Sequence, residues 1–213
     1  MQIKTLQLGH MDNNCYVIFD DTTRDAAIID APAEPRRILS YLEENSLECK
    51  YILLTHSHYD HIGALDMLKQ VTGAQIGIHA LEVNMLNNAS ANMSKFAGGH
   101  SPVSRADMIL NDGDILSIGG IGLQCIHTPG HTVGSMCFYA GGVLFSGDTL
   151  FHTNIGRCDL EGGSYDVIKK SIRGKLYILP DDTIVYPGHG EDSLIGYEKK
   201  HNDFVRSDWE YEY

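Results

Sequence analysis

Apolar and polar residues alternate from Ile3 to Leu8, and short apolar runs follow at Cys15–Phe19 and Ala26–Ile29, parted by Asp, Asn, Gly and Thr. A period of two punctuated by turn residues predicts three short strands. Within Glu34–Asn45, just past Pro32, Ile38, Leu39 and Leu42 fall at helical spacing and predict an amphipathic helix. Tyr51–Leu54 reads as a buried strand. Ile62, Leu65, Leu68 and Val71 then recur every third residue, so His61–Val71 is expected to be one helix stopped by Gly73. Gln75–His79 predicts a strand and Ala80–Leu86 a short helix. Residues 87–106 carry Asn, Ser and Gly with few aliphatics, the pattern of a long irregular loop, and such loops are usually functional or disordered. Strand signals return at Met108–Leu110, Ile115–Ile118, Gly122–His127, Met136–Tyr139 and Val143–Ser146. Tyr165–Lys175 predicts a helix, Ile184–Tyr186 a last strand and Ser193–Arg206 a closing helical segment. Strands outnumber helices, and the helices fall between strand sets, which fits an α+β (α/β) two-sheet sandwich with outer helices.

Composition narrows this picture. The chain has 213 residues, so one domain over 1–213 is expected. The net charge of −12 disfavours nucleic acid, whose phosphates call for Lys and Arg. No apolar run approaches the roughly 18 residues that span a bilayer, so no membrane partner is expected. The N-terminus lacks a basic segment followed by an apolar stretch, and the five cysteines contain no C-x-x-C pair. Reduced thiols and a cytoplasmic location are the expectation. The 11 histidines are unevenly spread, and that changes the picture most.

His56-Ser57-His58-Tyr59-Asp60-His61 concentrates three of them beside a carboxylate. In an extended segment residues two apart face the same side, so His56 and His58 can offer imidazoles to one ion. Asp60 and His61 come where a helix begins and aim at a neighbouring position; adjacent ligand pairs with different aims suit two metals roughly 3.5–4 Å apart. The alternative makes Asp60 a helix N-cap and the histidines solvated loop residues, but capping needs no histidine. Thr128-Pro129-Gly130-His131, Ser146-Gly147-Asp148 and Pro187-Gly188-His189 each put one further His or Asp beside Gly at a strand end. Seven nitrogen and oxygen ligands without cysteine suit zinc, iron or manganese.

With these residues, and with Asn14-Cys15-Tyr16, Ile29-Asp30, T-P-G-H-T, G-D-T-L-F and P-G-H-G, the chain resembles the metallo-β-lactamase fold superfamily, and within it the short glyoxalase II-like (hydroxyacylglutathione hydrolase-like) hydrolases. The resemblance implies an αββα sandwich with the site at one edge. It implies two divalent ions, zinc foremost with iron or manganese as alternatives. His56, His58 and His131 would hold one ion, Asp60, His61 and His189 the other, and Asp148 would bridge them. It implies a thioesterase for small-molecule S-acylglutathione-type thioesters, in which a metal-bridging hydroxide attacks while the catalytic carboxylates Asp60 and Asp148 orient it and take its proton.

Asp148 separates the chain from classical β-lactamases of the fold, which lack a bridging aspartate, and His58 from the diiron flavoproteins, which have glutamate there. The tRNA-processing members carry a basic arm. Persulfide dioxygenases share the ligands and the Gly156-Arg157-Cys158-Asp159 segment but use one iron on residues like His56, His131 and Asp148, and lactone or ester hydrolases share the full set. Those two remain the alternatives. Glyoxalase II proper has a C-terminal helical region that helps hold glutathione; residues 190–213 leave no room for it, so the short single-domain type is expected. Arg157 and His152 are candidate substrate contacts, with Arg157 alternatively paired to Asp159 or Glu161. His10, His79, His100, His127 and His201 fit no ligand spacing. The aromatic end, Trp209–Tyr213, could dock on the body, pair with another subunit or fray.

Overall fold

The computed structural model describes residues 1–99 and 101–206; His100 and the aromatic end lie outside the described residues. The first sheet has six strands in sequence order: β1 (Gln2–Leu8), β2 (Asn13–Phe19), β3 (Asp25–Ile29), β4 (Glu48–Leu53), β5 (Gln75–His79) and β6 (Met108–Leu110). β1, β2 and β3 pair antiparallel through turns, whereas β3 to β6 run parallel and need crossovers. The crossovers supply helices α1 (Pro35–Glu44), α2 (Tyr59–Ile62), α3 (Leu65–Thr72) and, after a 3-10 turn at Ala80–Glu82, α4 (Val83–Leu86).

The second sheet opens with the meander β7 (Ile115–Ile118), β8 (Ile121–His127), β9 (Met136–Ala140) and β10 (Val143–Gly147). A ribbon of β11 (Leu150–Phe151) and β12 (Asn154–Ile155) and the helix α5 (Tyr165–Ser171) intervene before β13 (Ile184–Pro187), which lies parallel to β10. β14 (Ser193–Leu194) makes the edge, and α6 (Ile195–His201) follows.

Strand alternation sorts the side chains into layers. On β2, Cys15, Val17 and Phe19 join Ile38 and Leu42 of α1 and Leu65 and Leu68 of α3 in an outer cluster. Tyr16 and Ile18 point the other way, into a core between the sheets with Ile29, Leu123, Phe138 and Phe145. Behind the second sheet, Leu144 and Val185 pack with Ile168 of α5 and Ile195 of α6. The order is helix, sheet, sheet, helix, the αββα sandwich expected, and each fully buried aliphatic or aromatic side chain contributes about 1.5–3 kcal/mol. No helix among the described residues is long and apolar enough to cross a membrane.

The elements differ from expectation in three places. His61–Val71 is two helices, because the chain near residue 31 inserts at the break: Ala31 N–H donates to the His61 carbonyl, and Ala64 N–H donates to the Ala31 carbonyl, both at 2.8 Å. Gly63 is required there, since a Cβ would sit 2.4 Å from the Pro32 carbonyl oxygen. Ser193–Arg206 begins as the edge strand β14 and is helical only over Ile195–His201, where the Asn202 backbone leaves the helical region. The ribbon β11–β12 was not anticipated. Residues 87–99 and 101–106 are irregular as expected of the loop, anchored by buried Asn92, whose carbonyl accepts the Tyr59 N–H at 2.9 Å.

Candidate metal centre

All seven candidate ligands lie at one edge of the sandwich, on segments leaving strands. The extended stretch after β4 carries His56 and His58, and α2 carries Asp60 and His61. From the second sheet come His131 in the turn after β8, Asp148 directly after β10 and His189 one glycine past β13. Asn14 N–H ties the first sheet to the second at this edge by donating to the Gly188 carbonyl, and within the second sheet Gly188 N–H donates to the Gly147 carbonyl, 2.8 Å each.

The ring nitrogens converge. His58 Nδ1 lies 2.9 Å from His131 Nε2, which lies 3.3 Å from His56 Nε2. Asp148 reaches across the middle, 3.4 Å from His61 Nε2 by one oxygen and 3.6 Å from both His131 Nε2 and His189 Nε2 by the other. Asp60 Oδ2 is 3.4 Å from His189 Nε2 and 3.7 Å from His61 Nε2. Three groupings have ligand atoms all within 4.8 Å of one another: His56, His58 and His131; His56, His61 and Asp148; and Asp60, His61 and His189.

Partners outside the cluster set the tautomers. His61 Nδ1 meets Asp30 Oδ2 at 2.8 Å, His131 Nδ1 meets the Arg157 carbonyl at 2.8 Å, and His56 Nδ1 meets Thr55 Oγ1 at 3.0 Å. Each partner accepts the Nδ1–H, which leaves the Nε2 lone pair facing inward, the arrangement that orients metal-binding histidines. Burial and the neighbouring imidazoles push His56 well below its ordinary pKa and His58 down to about 4, so both rings keep their lone pairs at neutral pH.

The carboxylate side has the opposite demand. Burial alone would raise Asp148, but His61 and the other imidazoles hold it at about 2. Burial is likewise overcome at Asp60, where His61, His189 and Asn13 keep the carboxyl far below the usual range. Burial opposes a charge on His61, yet Asp148, Asp30 and Asp60 raise its pKa well above normal. These carboxylates call for positive charge, which a proton on His61 answers in part and a divalent cation answers fully. Asp148 Oδ1 is buried with no hydrogen-bond partner. Its contact with His61 Nε2 at 3.4 Å lacks hydrogen-bond geometry, and a buried anionic oxygen held so loosely among ring nitrogens fits a metal centre, because such an atom is otherwise costly.

The sequence profile of the metallo-beta-lactamase superfamily matches residues 8–189. The chain belongs to the metallo-beta-lactamase superfamily. It is 37% identical over 211 residues to the hydroxyacylglutathione hydrolase GloC of Haemophilus influenzae, covering 97% of this chain and 99% of the relative. The crystal structure of the BLEG-1 B3 metallo-beta-lactamase superposes with a TM-score of 0.91 at 36% identity, over 96% of this chain and 99% of that one. The structure of TTHA1623 in a di-iron-bound form has a TM-score of 0.84 at 31% identity, over 95% and 100%. Proteins of this superfamily bind divalent metals, and this member is a metallo-hydrolase with a His and Asp cluster suited to such ions.

The metallo-beta-lactamase site opens into a cavity of about 400 Å³. His58, Asp60, His131, Asp148 and His189 lie at its polar end, and Met11, Met93, Phe151, Ile155 and Leu160 supply apolar wall. Arg157 lines it too, but its guanidinium is bound to Asp159 by two hydrogen bonds of 2.8 Å; its link to the centre is its backbone carbonyl on His131. His152 does not line this cavity and instead pairs with Glu191 at 2.6 Å. His10 lines an adjoining cavity that shares Asp60.

Sequence reasoning gave no site role to the residues behind the ligands. Asn13 Nδ2 donates to Asp60 Oδ2 at 3.0 Å. Asp30 accepts from Thr55 N–H and Thr55 Oγ1, 2.8 Å each, as well as holding His61. The signal at Asp30 was a charged residue directly after an all-apolar strand; Asn13 carries none.

Proposed function

We propose that this metallo-hydrolase is a thioesterase cleaving S-acylglutathione-type thioesters, with His56, His58 and His131 holding one divalent ion, Asp60, His61 and His189 the other, and Asp148 between them. The observation that carries the reading is the convergence of five imidazoles with the carboxylates of Asp60 and Asp148 at one end of a cavity. The GloC relative points to the thioester. Two ions bound there would acidify water to a pKa near ~7 and polarise an acyl carbonyl.

The chain's own residues do the rest. Asp60, kept ionised and fixed by Asn13, orients the attacking water and receives its proton at Oδ2. Asp148, also ionised, presents a second acceptor from the other sheet. The apolar walls built by Met11, Met93 and Phe151 exclude bulk water from the acyl group. A thiolate leaves readily, so no strong general acid has to stand opposite.

Thiol release from S-lactoylglutathione by the zinc- or iron-loaded protein tests this, and rapid release is expected. No release, with hydrolysis of a chromogenic cephalosporin instead, would replace thioester by β-lactam, the reading that the likeness to BLEG-1 favours. Oxygen uptake with a glutathione persulfide would move the assignment to a dioxygenase.

Gly188 supplies a further test. A Cβ there would sit 2.3 Å from Asp148 Oδ1 and 2.9 Å from His61 Cε1. Gly188→Ala is expected to push Asp148 off its position and weaken zinc retention about tenfold or more, read as zinc per chain after dialysis against a chelator.

A further inference from the structure

Glu82 is a fully buried carboxylate that belongs to neither ligand group. It ends the 3-10 turn after β5, and its two oxygens go to different halves of the sandwich. Oε2 accepts the Ser57 N–H at 2.9 Å, and Oε1 accepts the Gly134 N–H at 2.9 Å. The Glu82 carbonyl also accepts from Ser57 Oγ at 3.1 Å. Ser57 is the residue between His56 and His58, and Gly134 lies three residues after His131 in the turn leading to β9. One rigid, planar group therefore spans the backbones that present all three of these histidines.

We propose that Glu82 is a positioning residue that holds the backbones of His56–His58 and His131 at the separation their shared ion requires. Hydrogen bonds to a carboxylate are roughly twice as strong as neutral ones, and a single side chain bridging two loops removes their relative freedom. Gly134 permits the approach: a Cβ there would lie 2.7 Å from Glu82 Cγ and 2.9 Å from Oε1. The other group is braced separately, Asp60 by Asn13 and His61 by Asp30. The effect of Glu82 is thus confined to the His56–His58–His131 position. The inference rests on the metal-binding reading of the cluster and is independent of the thioester reading.

Zinc affinities of the full chain, measured by competition with a chromophoric chelator, test it through a readout separate from turnover. Glu82→Gln keeps the shape but turns an amide NH2 toward one of the two N–H donors. One of two zinc-binding steps is expected to weaken 10–100-fold, as for other groups that orient metal-binding histidines, while the second stays within about twofold. Adding His189→Ala, which removes a ligand of the other group, should leave one step that still shows the full loss, together with an altered visible spectrum of bound cobalt(II). Gly134→Ala, which crowds the carboxylate without removing it, is expected to act in the same direction. Unchanged zinc affinities with a lowered melting temperature would reduce Glu82 to a packing role and overturn the proposal. Equal weakening of both steps would overturn it as well. A parent protein that takes up no zinc, cobalt or iron would overturn it together with the metal centre itself.

Discussion

Asp60→Ala is expected to lower hydrolysis by the metal-loaded protein about 10³-fold or more, with far-UV circular dichroism unchanged. The carboxylate is 11% exposed on the four-residue helix α2 and contributes no apolar packing. Its removal takes away the oxygen that faces both His61 and His189, and with it the proton acceptor assigned to the attacking water. His56→Ala should be equally damaging by a different route. The ring is buried against His58, His61 and His131, with centroids 4.8, 4.2 and 4.7 Å away, so its loss unseats one ion and disturbs the position of the other. Steady-state kinetics beside metal analysis separate the two: Asp60→Ala should keep the ion on the three-histidine side, and His56→Ala should lose it first. Retained turnover in either variant would sink the dinuclear hydrolase reading.

Asp30→Ala is expected to be the most costly change outside the ligand set. The side chain is buried, and its oxygens take the Thr55 N–H, the Thr55 hydroxyl and His61 Nδ1, each at 2.8 Å. Alanine leaves these donors in a dry environment, at ~3 kcal/mol or more of folding stability. It also frees the His61 ring to turn, so zinc affinity should fall 10–100-fold. Urea denaturation of the metal-free protein reads the first effect and chelator competition the second. Asp30→Asn, which keeps one carbonyl acceptor, should fall between the parent and Asp30→Ala in both.

These two cases show what a linear sequence makes legible. The strands of both sheets announce themselves because alternation and turn residues act locally, within five or six positions. The cluster that the structure brings together was legible for a related reason: His56, His58, Asp60 and His61 are neighbours in the chain, and His131, Asp148 and His189 each stand beside glycine at a strand end. What escaped depends on distant partners. The helix break at Gly63 is caused by the backbone of Ala31, about 30 residues away, and the Pro32 carbonyl beside it is what requires the glycine. Glu82 carries no local mark, since its partners Ser57 and Gly134 lie 25 and 52 residues off. Arg157 drew attention for its charge, yet its backbone oxygen is the part that meets the centre. The strands of the ribbon β11–β12 have two residues each, too few to establish a period.

The division of the ligands between the two sheets has a consequence for how the protein is made. Synthesis runs from the N-terminus, so the first sheet and its four candidate ligands are made before the other three. An ion captured then would meet only half a coordination sphere and could be lost to any competing chelator. His131 and Asp148 would complete most of the sphere, and His189 comes last, two residues past the strand that docks parallel to β10. On the proposed assignment the full ligand set therefore exists only once residue 189 has been made, and metal loading of the finished site would be a late event in the life of the nascent chain.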